Sequence, residues 1–292
     1  MARASLAFLC GFLAPCSLAA APQQQAQIQP APAIAPAEQP ADGFLIFGAA
    51  VQGGLLSARA PKNTKILFLG DQQIMPGADG LFLMGFDRDA PMQANLVALL
   101  ADGRKVERLI AVAPGNWRIE NVAANFTGGA KSSAEFEARR GAELARIEAA
   151  RAIGHDSNGW RQRFIRPVAG RISGLFGAQR VYNGTPGTYH GGMDISAPQG
   201  MEYVAPADGV VILAASDEFT LEGHLVIIDH GMGLNSAFLH SSELLVNEGD
   251  VVRQGQVIGR VGATGRATGP HLHWGMKWNG ARVDPRLLIA TP

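Results

Sequence analysis

Glycine cuts this chain into short apolar runs, and that rhythm constrains the fold more than any other feature. The 292 residues include 36 glycines, a supply that favours tight turns between short strands. From Gly43 to about Asn125, five apolar runs read as strands, at residues 44–51, 65–69, 81–86, 95–100 and 106–112. Asp79-Gly80 and Asp102-Gly103 are hairpin-turn pairs between them. The spacing predicts a small immunoglobulin-like β-sandwich over 43–125, with no catalytic cluster in it. From Trp160 the pattern resumes. The stretches 205–211 and 246–252 each lead into a strand, and 255–259 follows with another glycine-bounded run. A compact antiparallel β domain is expected over 160–292.

One helix is predicted between these two regions, in a linking segment at 126–159. Ser132-Ser133-Ala134-Glu135 fits a capping box, with Ser132 as N-cap and Glu135 reaching back. Phe136, Arg140, Leu144, Ile147 and Arg151 follow at helical spacing, and Gly154 can end the helix. Only part of that stripe is apolar, so the helix is expected to be half exposed and to bridge the two domains.

The first residues read as a targeting segment. Arg3 supplies a positive start, residues 4–13 are apolar, and Leu18-Ala19-Ala20-Ala21 offers small residues for cleavage. The run is too short for a membrane span, so residues 1–21 are expected to be a signal peptide. Both cysteines, Cys10 and Cys16, lie inside it, and a mature exported chain would carry neither thiol nor disulfide. Proline before Cys16 fits a lipoprotein signal poorly. Residues 22–42 form a Pro/Ala/Gln-rich linker. The formal net charge is zero, so the chain has no electrostatic footprint for nucleic acid or an anionic membrane.

Without cysteine, a metal site must use histidine and carboxylate. His271-Leu272-His273 puts two imidazoles on one strand face, roughly 6.6 Å apart along an extended chain. In His190-Gly191-Gly192-Met193-Asp194, adjacent glycines argue against a helix. A loop entering a strand is expected instead, with the glycines letting His190 and Asp194 converge. Two imidazoles and a carboxylate are a catalytic zinc set that leaves one tetrahedral position for water. The helical His-Glu-x-x-His motif is absent, so another group must take the proton, and His271 stands beside His273. His240, in Phe238-Leu239-His240, ends a strand that follows the turn 230–233.

The segment from about Arg166 to Leu288 resembles the M23 family of zinc metallopeptidases, of the lysostaphin and LytM type. The matching stretches are Gly170-Arg171-Ile172-Ser173, Phe176-Gly177, HGGMD, GHLVIIDHG, FLH, EGDVVRQGQVIGRVGATG, GPHLHW and Val283-Asp284-Pro285. The resemblance implies that His190, Asp194 and His273 ligate one Zn2+ per chain and that His240 and His271 are catalytic. It implies a compact antiparallel β fold and hydrolysis of peptide bonds in peptidoglycan cross-links or stem peptides, in the periplasm or cell envelope. The alternative is a catalytically inactive relative that binds or activates a cell-wall amidase; a regulatory envelope partner is left open. Two positions depart from the family pattern. Phe238 stands where many members carry tyrosine, and His224 where asparagine is common and where a structural role is expected. His155 and His230 read as a linker and a turn residue. The region around Gly249 also echoes a lipoyl module, but no lysine lies between Ser132 and Gly275 to carry the group.

Overall fold

The computed structural model describes residues 42–123 and 133–289, all within one compact unit. The expected signal peptide, the linker up to residue 41, and Ser132 lie outside the described residues. Among the described residues, no helix is long and apolar enough to cross a membrane.

Among the described residues, eight strands precede the helix: β1 (Leu45–Phe47), β2 (Leu55–Arg59), β3 (Thr64–Leu69), β4 (Gln72–Ile74), β5 (Leu81–Gly85), β6 (Gln93–Leu100), β7 (Lys105–Ala111) and β8 (Ile119–Val122). The first seven divide into two antiparallel sheets, ordered β1-β2-β5 and β4-β3-β6-β7. In β6 the alternation is plain, with Leu96, Ala98 and Leu100 buried at every second position. Asp102-Gly103 turns β6 into β7, Gly103 taking the positive φ of 85° that glycine tolerates. Asp79-Gly80 is not a hairpin turn. β4 pairs with β3 and β5 with β2, so this turn passes the chain from one sheet to the other.

Thirteen strands follow the helix: β9 (Arg171–Gly174), β10 (Gln179–Tyr182), β11 (Thr185–Pro186), β12 (Met193–Ser196), β13 (Glu202–Val204), β14 (Gly209–Phe219), β15 (Gly223–Asp229), β16 (Leu234–Ser241), β17 (Glu243–Leu244), β18 (Val251–Val252), β19 (Val257–Arg260), β20 (His271–Trp278) and β21 (Ala281–Val283). An antiparallel sheet ordered β18-β14-β15-β16-β20-β12-β9, with β21 on β20, is the centre of this region. β20 carries the period of two that a strand imposes. Leu272, Trp274, Met276 and Trp278 are at most 1% exposed. His271, His273, Gly275 and Lys277 take the opposite face, which is partly open.

Helix α1 (Ala134–Ala152) is capped by Ser133, whose hydroxyl accepts the Phe136 N–H at 3.1 Å. It is half exposed, but it lies on the central sheet rather than standing as a bridge. Ile147 and Ala150 pack with Leu213 and Ala215 of β14, Leu225 and Ile227 of β15, and Ala237 of β16. Buried Glu143 anchors it further. Its carboxylate accepts the Thr220 N–H at 2.7 Å and hydroxyl at 2.6 Å, and pairs with Arg139 and Arg140 at 3.1 Å.

The N-terminal strands and the central sheet share one buried core, running from Phe44 through Leu96 to Trp274 and Trp278. Gly85 is where they meet most closely: a Cβ there would lie 2.9 Å from the Trp278 ring. β8 pairs in parallel with β10, and Asp284 N–H donates to the Gly53 carbonyl at 2.7 Å. Buried Arg88 donates to the Gly177 carbonyl at 3.0 Å and to Gln179 Oε1 at 2.8 Å.

His230, at the end of β15, is a turn residue as expected, but its ring is fully buried. It is bonded to the Asp208 carbonyl and the Ser236 hydroxyl, both at 2.8 Å, and stands edge-on to Phe164 with centroids 4.9 Å apart. Burial pushes its pKa down to about 4, against the opposing pull of the Asp208 carbonyl and Asp229. The unfolded chain therefore binds a proton that the native ring refuses, so stability is full above pH ~6.5 and declines as pH falls towards 4. Fully protonated, this group would remove on the order of 3 kcal/mol. Denaturation of wild type and His230→Asn across pH 4–7 checks it: the variant should show a shallower pH slope, and equal slopes would refute the assignment.

Candidate metal centre

The site is built on one cross-strand pair. Asp194 on β12 lies directly opposite His273 on β20, and their side chains meet with Asp194 Oδ1 2.8 Å from His273 Nδ1. His190 comes from the loop entering β12, as its sequence context predicts. Its Nε2 lies 3.0 Å from Asp194 Oδ1 and 3.1 Å from His273 Nδ1. One ligand atom from each residue falls within 4.8 Å of the others, so the three could hold a single metal ion. The donor set fits zinc, which takes imidazole nitrogen and carboxylate oxygen in a compact tetrahedral shell.

Two glycines make that convergence possible, and the reason is space. A Cβ on Gly192 would lie 2.6 Å from His273 Nε2 and 2.7 Å from the Trp274 carbonyl, and a Cβ on Gly174 would lie 2.3 Å from Asp194 Oδ2. Neither glycine has a positive φ. The Gly-Gly step therefore lets β20 approach closely rather than supplying an unusual backbone bend.

The ring nitrogens are fixed by backbone carbonyls, which can only accept. His190 Nδ1 donates to Leu175 O at 3.0 Å, His240 Nδ1 to Thr264 O at 2.9 Å, and His271 Nδ1 to Gly269 O at 2.8 Å. Each of these rings keeps Nε2 for the cleft, the kind of outer support that sets a metal ligand's tautomer. His240 and His271 have centroids 4.9 Å apart, and His240 and His273 6.2 Å. His271 Nε2 lies 3.8 Å from Asp194 Oδ1. All five histidine and aspartate positions singled out from the sequence thus meet in one place.

Electrostatics set the charge states. Burial works against ionised Asp194, yet the hydrogen bonds and charges of His190 and His273 outweigh it and hold the carboxyl well below the usual range. For His190 burial is likewise outweighed, by Asp194, and its pKa rises. Burial lowers His273, helped by nearby His190 and His271. Burial and the neighbouring His271 and His273 push His240 down to about 4, keeping its ring neutral near pH 7.

His240 reaches the cleft by breaking the strand rule. In β16, Phe238 points into the core, fully buried between Tyr203 and Trp274, while Ala237 and Leu239 line the cleft. Alternation would send His240 the way of Phe238. Its φ of +67°, uncommon for a residue with a side chain, turns it to the other face instead. The phenylalanine that departs from the family pattern is therefore a core residue in this chain. His224 pairs with Ser241 and donates its backbone N–H to Thr264. His155 follows α1 and donates its N–H to Asp229 at 2.9 Å.

The five residues floor a cleft of about 610 Å³ whose walls include residues the sequence did not single out for function. Arg140 and Arg151 of α1 line it, as do Tyr189, Lys277 and Arg282. Tyr189 donates to Asp87 Oδ1 at 2.8 Å. Only its place beside His190 could have marked it in the sequence.

This geometry defines a β-sheet site whose two histidines and one aspartate could together hold a metal ion, and comparison with known proteins points to a family with which such a site is compatible. Residues 188–285 match the pattern of Peptidase family M23, which marks an M23 domain in the C-terminal part of the chain. It is 37% identical over 137 residues to peptidoglycan DD-endopeptidase ShyC of Vibrio cholerae, covering 45% of this chain and 31% of ShyC. It is 44% identical over 103 residues to DD-carboxypeptidase/endopeptidase Mpg of Neisseria meningitidis, covering 35% of this chain and 23% of Mpg. The match thus spans under a third of either relative. A Pseudomonas aeruginosa crystal structure, described as a candidate M23 peptidase, superposes with a TM-score of 0.65 at 28% identity, covering 83% of this chain and 96% of the other.

The metal assignment predicts that purified protein binds about one zinc per chain. His273→Ala should lose most of it, while His240→Ala, outside the ligand set, keeps it. Elemental analysis decides: full zinc in His273→Ala would remove that residue from the ligand set.

Proposed function

We propose that this chain is an exported zinc metalloendopeptidase that hydrolyses peptide bonds in peptidoglycan cross-links or stem peptides. One observation carries the reading: His190, Asp194 and His273 converge on a single point, and His240 and His271 turn their Nε2 atoms towards the same cleft. The names of the M23 relatives give the substrate class. Peptidoglycan lies outside the cytoplasmic membrane, in keeping with the targeting pattern of residues 1–21.

Zinc held by these three residues would supply Lewis acidity to a peptide carbonyl and lower the pKa of a water to about 7. The rest of the work falls to the chain. His271, with Nδ1 tied to Gly269, has Nε2 placed to take a proton from the attacking water. His240, neutral and tied to Thr264, is placed to stabilise charge developing on the carbonyl oxygen or to return a proton to the leaving amine. The two rings sit so close that these roles are interchangeable in geometry. Buried Leu225 and Ile227 together with helix α1 close one side of the cleft, which limits water around the reacting groups. The complete five-residue set weighs against the inactive, amidase-binding alternative. We also propose that residues 43–125 brace the catalytic region, because the two share a core.

Digestion of purified peptidoglycan, with mass analysis of the fragments, tests the reading. Wild type should release peptide-cleaved products that disappear with a chelator and return with zinc. His271→Ala and His240→Ala should each keep zinc and lose activity on the order of 10²-fold or more. Wild-type turnover in either zinc-loaded variant would strike that histidine from the mechanism.

A further inference from the structure

The cleft carries a second group of charges that the hydrolytic chemistry does not use. Asn235 on β16, Lys277 on β20 and Arg282 on β21 form one cross-strand row, each directly opposite the next. Lys277 shares the face of β20 that carries His271 and His273, and it lines the same cleft, as does Arg282. Arg151 of α1 joins them from above, donating from Nε to Asn235 Oδ1 at 3.1 Å. Like charges directly opposite one another in a sheet are destabilising, so the Lys277–Arg282 pair works against the fold.

Among the described residues, no carboxylate forms an ion pair with any of the three cations. Asp87 comes near, but its oxygens accept the Arg282 backbone N–H and the Tyr189 hydroxyl. The Arg282 guanidinium reaches only the Tyr189 hydroxyl, at 3.3 Å, and lies over that ring. Glu148 and Glu222 also line the cleft and favour the charge of Arg151, Glu148 acting on Lys277 as well, but Glu222 is already paired with Arg140. Arg140, by contrast, is fully answered by Glu222 and Glu143. Burial and mutual repulsion lower the pKa of both Arg151, to about 10, and Lys277. These groups are held in a place that disfavours their charge.

We propose that Arg151, Lys277 and Arg282 form an anion subsite of the cleft that receives a free carboxylate of the substrate peptide. The proposal rests on the peptidoglycan endopeptidase reading for its substrate, and deepens it: the enzyme selects cross-links that carry a carboxylate at a fixed distance from the bond cut. Lys277 is four residues from His273, roughly 13 Å along the strand at ~3.3 Å per residue. An extended peptide spans that distance in about three to four residues, and fewer once the long basic side chains reach inward. Between the two positions lies Gly275, which leaves the floor without a side chain. A Cβ there would still find ordinary contact, 3.6 Å from His273 Nε2, so the bare floor is not forced by packing. It leaves a track for peptide backbone from the metal ligands to the cations.

The test uses the zinc-loaded full chain and two uncleavable stem-peptide analogues, with the cross-linking amide replaced by a ketomethylene. They differ only in whether the neighbouring carboxylate is free or amidated. Wild type should bind the free carboxylate at least about tenfold more tightly, the increment of one charge-assisted contact. Lys277→Gln with Arg282→Gln should abolish the preference without lowering the melting temperature, since it removes a like-charge clash. Arg282→Gln alone, at an exposed position, should reduce the preference if the double variant folds poorly. Equal wild-type binding of the two analogues, no binding of either, or a preference that survives in both variants overturns the subsite. Cleavage of the parent cross-links is scored separately. Its absence in wild type would defeat the endopeptidase reading while the binding ratio still judged the anion site.

Discussion

The contact between Asp194 and His273 fixes the rest of the site. It joins two side chains that face each other across paired strands, so the register of β12 on β20 and the geometry of the candidate metal site are one constraint. A slip of one residue by either strand would carry its group to the opposite face, into the apolar layer that holds Trp274 and Leu272, and part it from its partner. The aspartate stays ionised in a partly buried position because two imidazoles answer it. That charge is what makes the place attractive to a cation, since an unpaired buried carboxylate would instead take up a proton. The glycines at 174 and 192 follow from the same contact, because any side chain there would occupy the space of the carboxylate or the imidazole.

The central sheet therefore serves two purposes with its two faces. One face is apolar and shared with the N-terminal strands, where Trp278 meets Gly85 and the core continues to Phe44. The other face carries the histidines and aspartate of the candidate site, and it is bounded by α1 and by the segment around Tyr189 and Arg282. The N-terminal strands reach this boundary through Asp87, which holds both the Tyr189 hydroxyl and the backbone of Arg282. They contribute no ligand, yet they set where the cleft ends. Helix α1 does the same from the other side, through Glu143 and the apolar pair Ile147 and Ala150.

Much of this was legible in the residues because the relevant signals are local. Alternation in β6 and β20, the Asp102-Gly103 turn, and the pairing of imidazoles at 271 and 273 each depend on a few neighbouring positions. The immunoglobulin-like description of residues 43–125 goes further than the two antiparallel sheets observed. The features that escaped depend on residues distant in sequence. Asp79-Gly80 looks like a hairpin turn, and only the partners of β4 and β5 decide otherwise. The stripe of α1 predicts a half-exposed helix but not which surface covers its apolar side. β8 is short and mostly polar, and it forms because β10 offers it an edge. Burial of His230 is likewise set by Phe164, Asp208 and Ser236, which its own neighbours do not announce.

His240 is the most instructive case, because the local rule gives the wrong direction for its side chain. Strand alternation groups it with Ser236 and Phe238, both fully buried, and an imidazole there would compete for space with the Tyr203–Phe238–Trp274 stack. The positive φ at this one residue separates the His240 ring from the core that the same strand builds. The backbone at that point is held from both sides, with the His240 N–H donating to the Glu222 carbonyl at 2.8 Å and its ring to Thr264. Glu222 is itself gripped by Arg140 of α1 at 2.6 and 2.8 Å. The helix that walls the cleft thus also supports the conformation that brings His240 into it, linking Arg140 at the edge of the cleft to the imidazole on its floor.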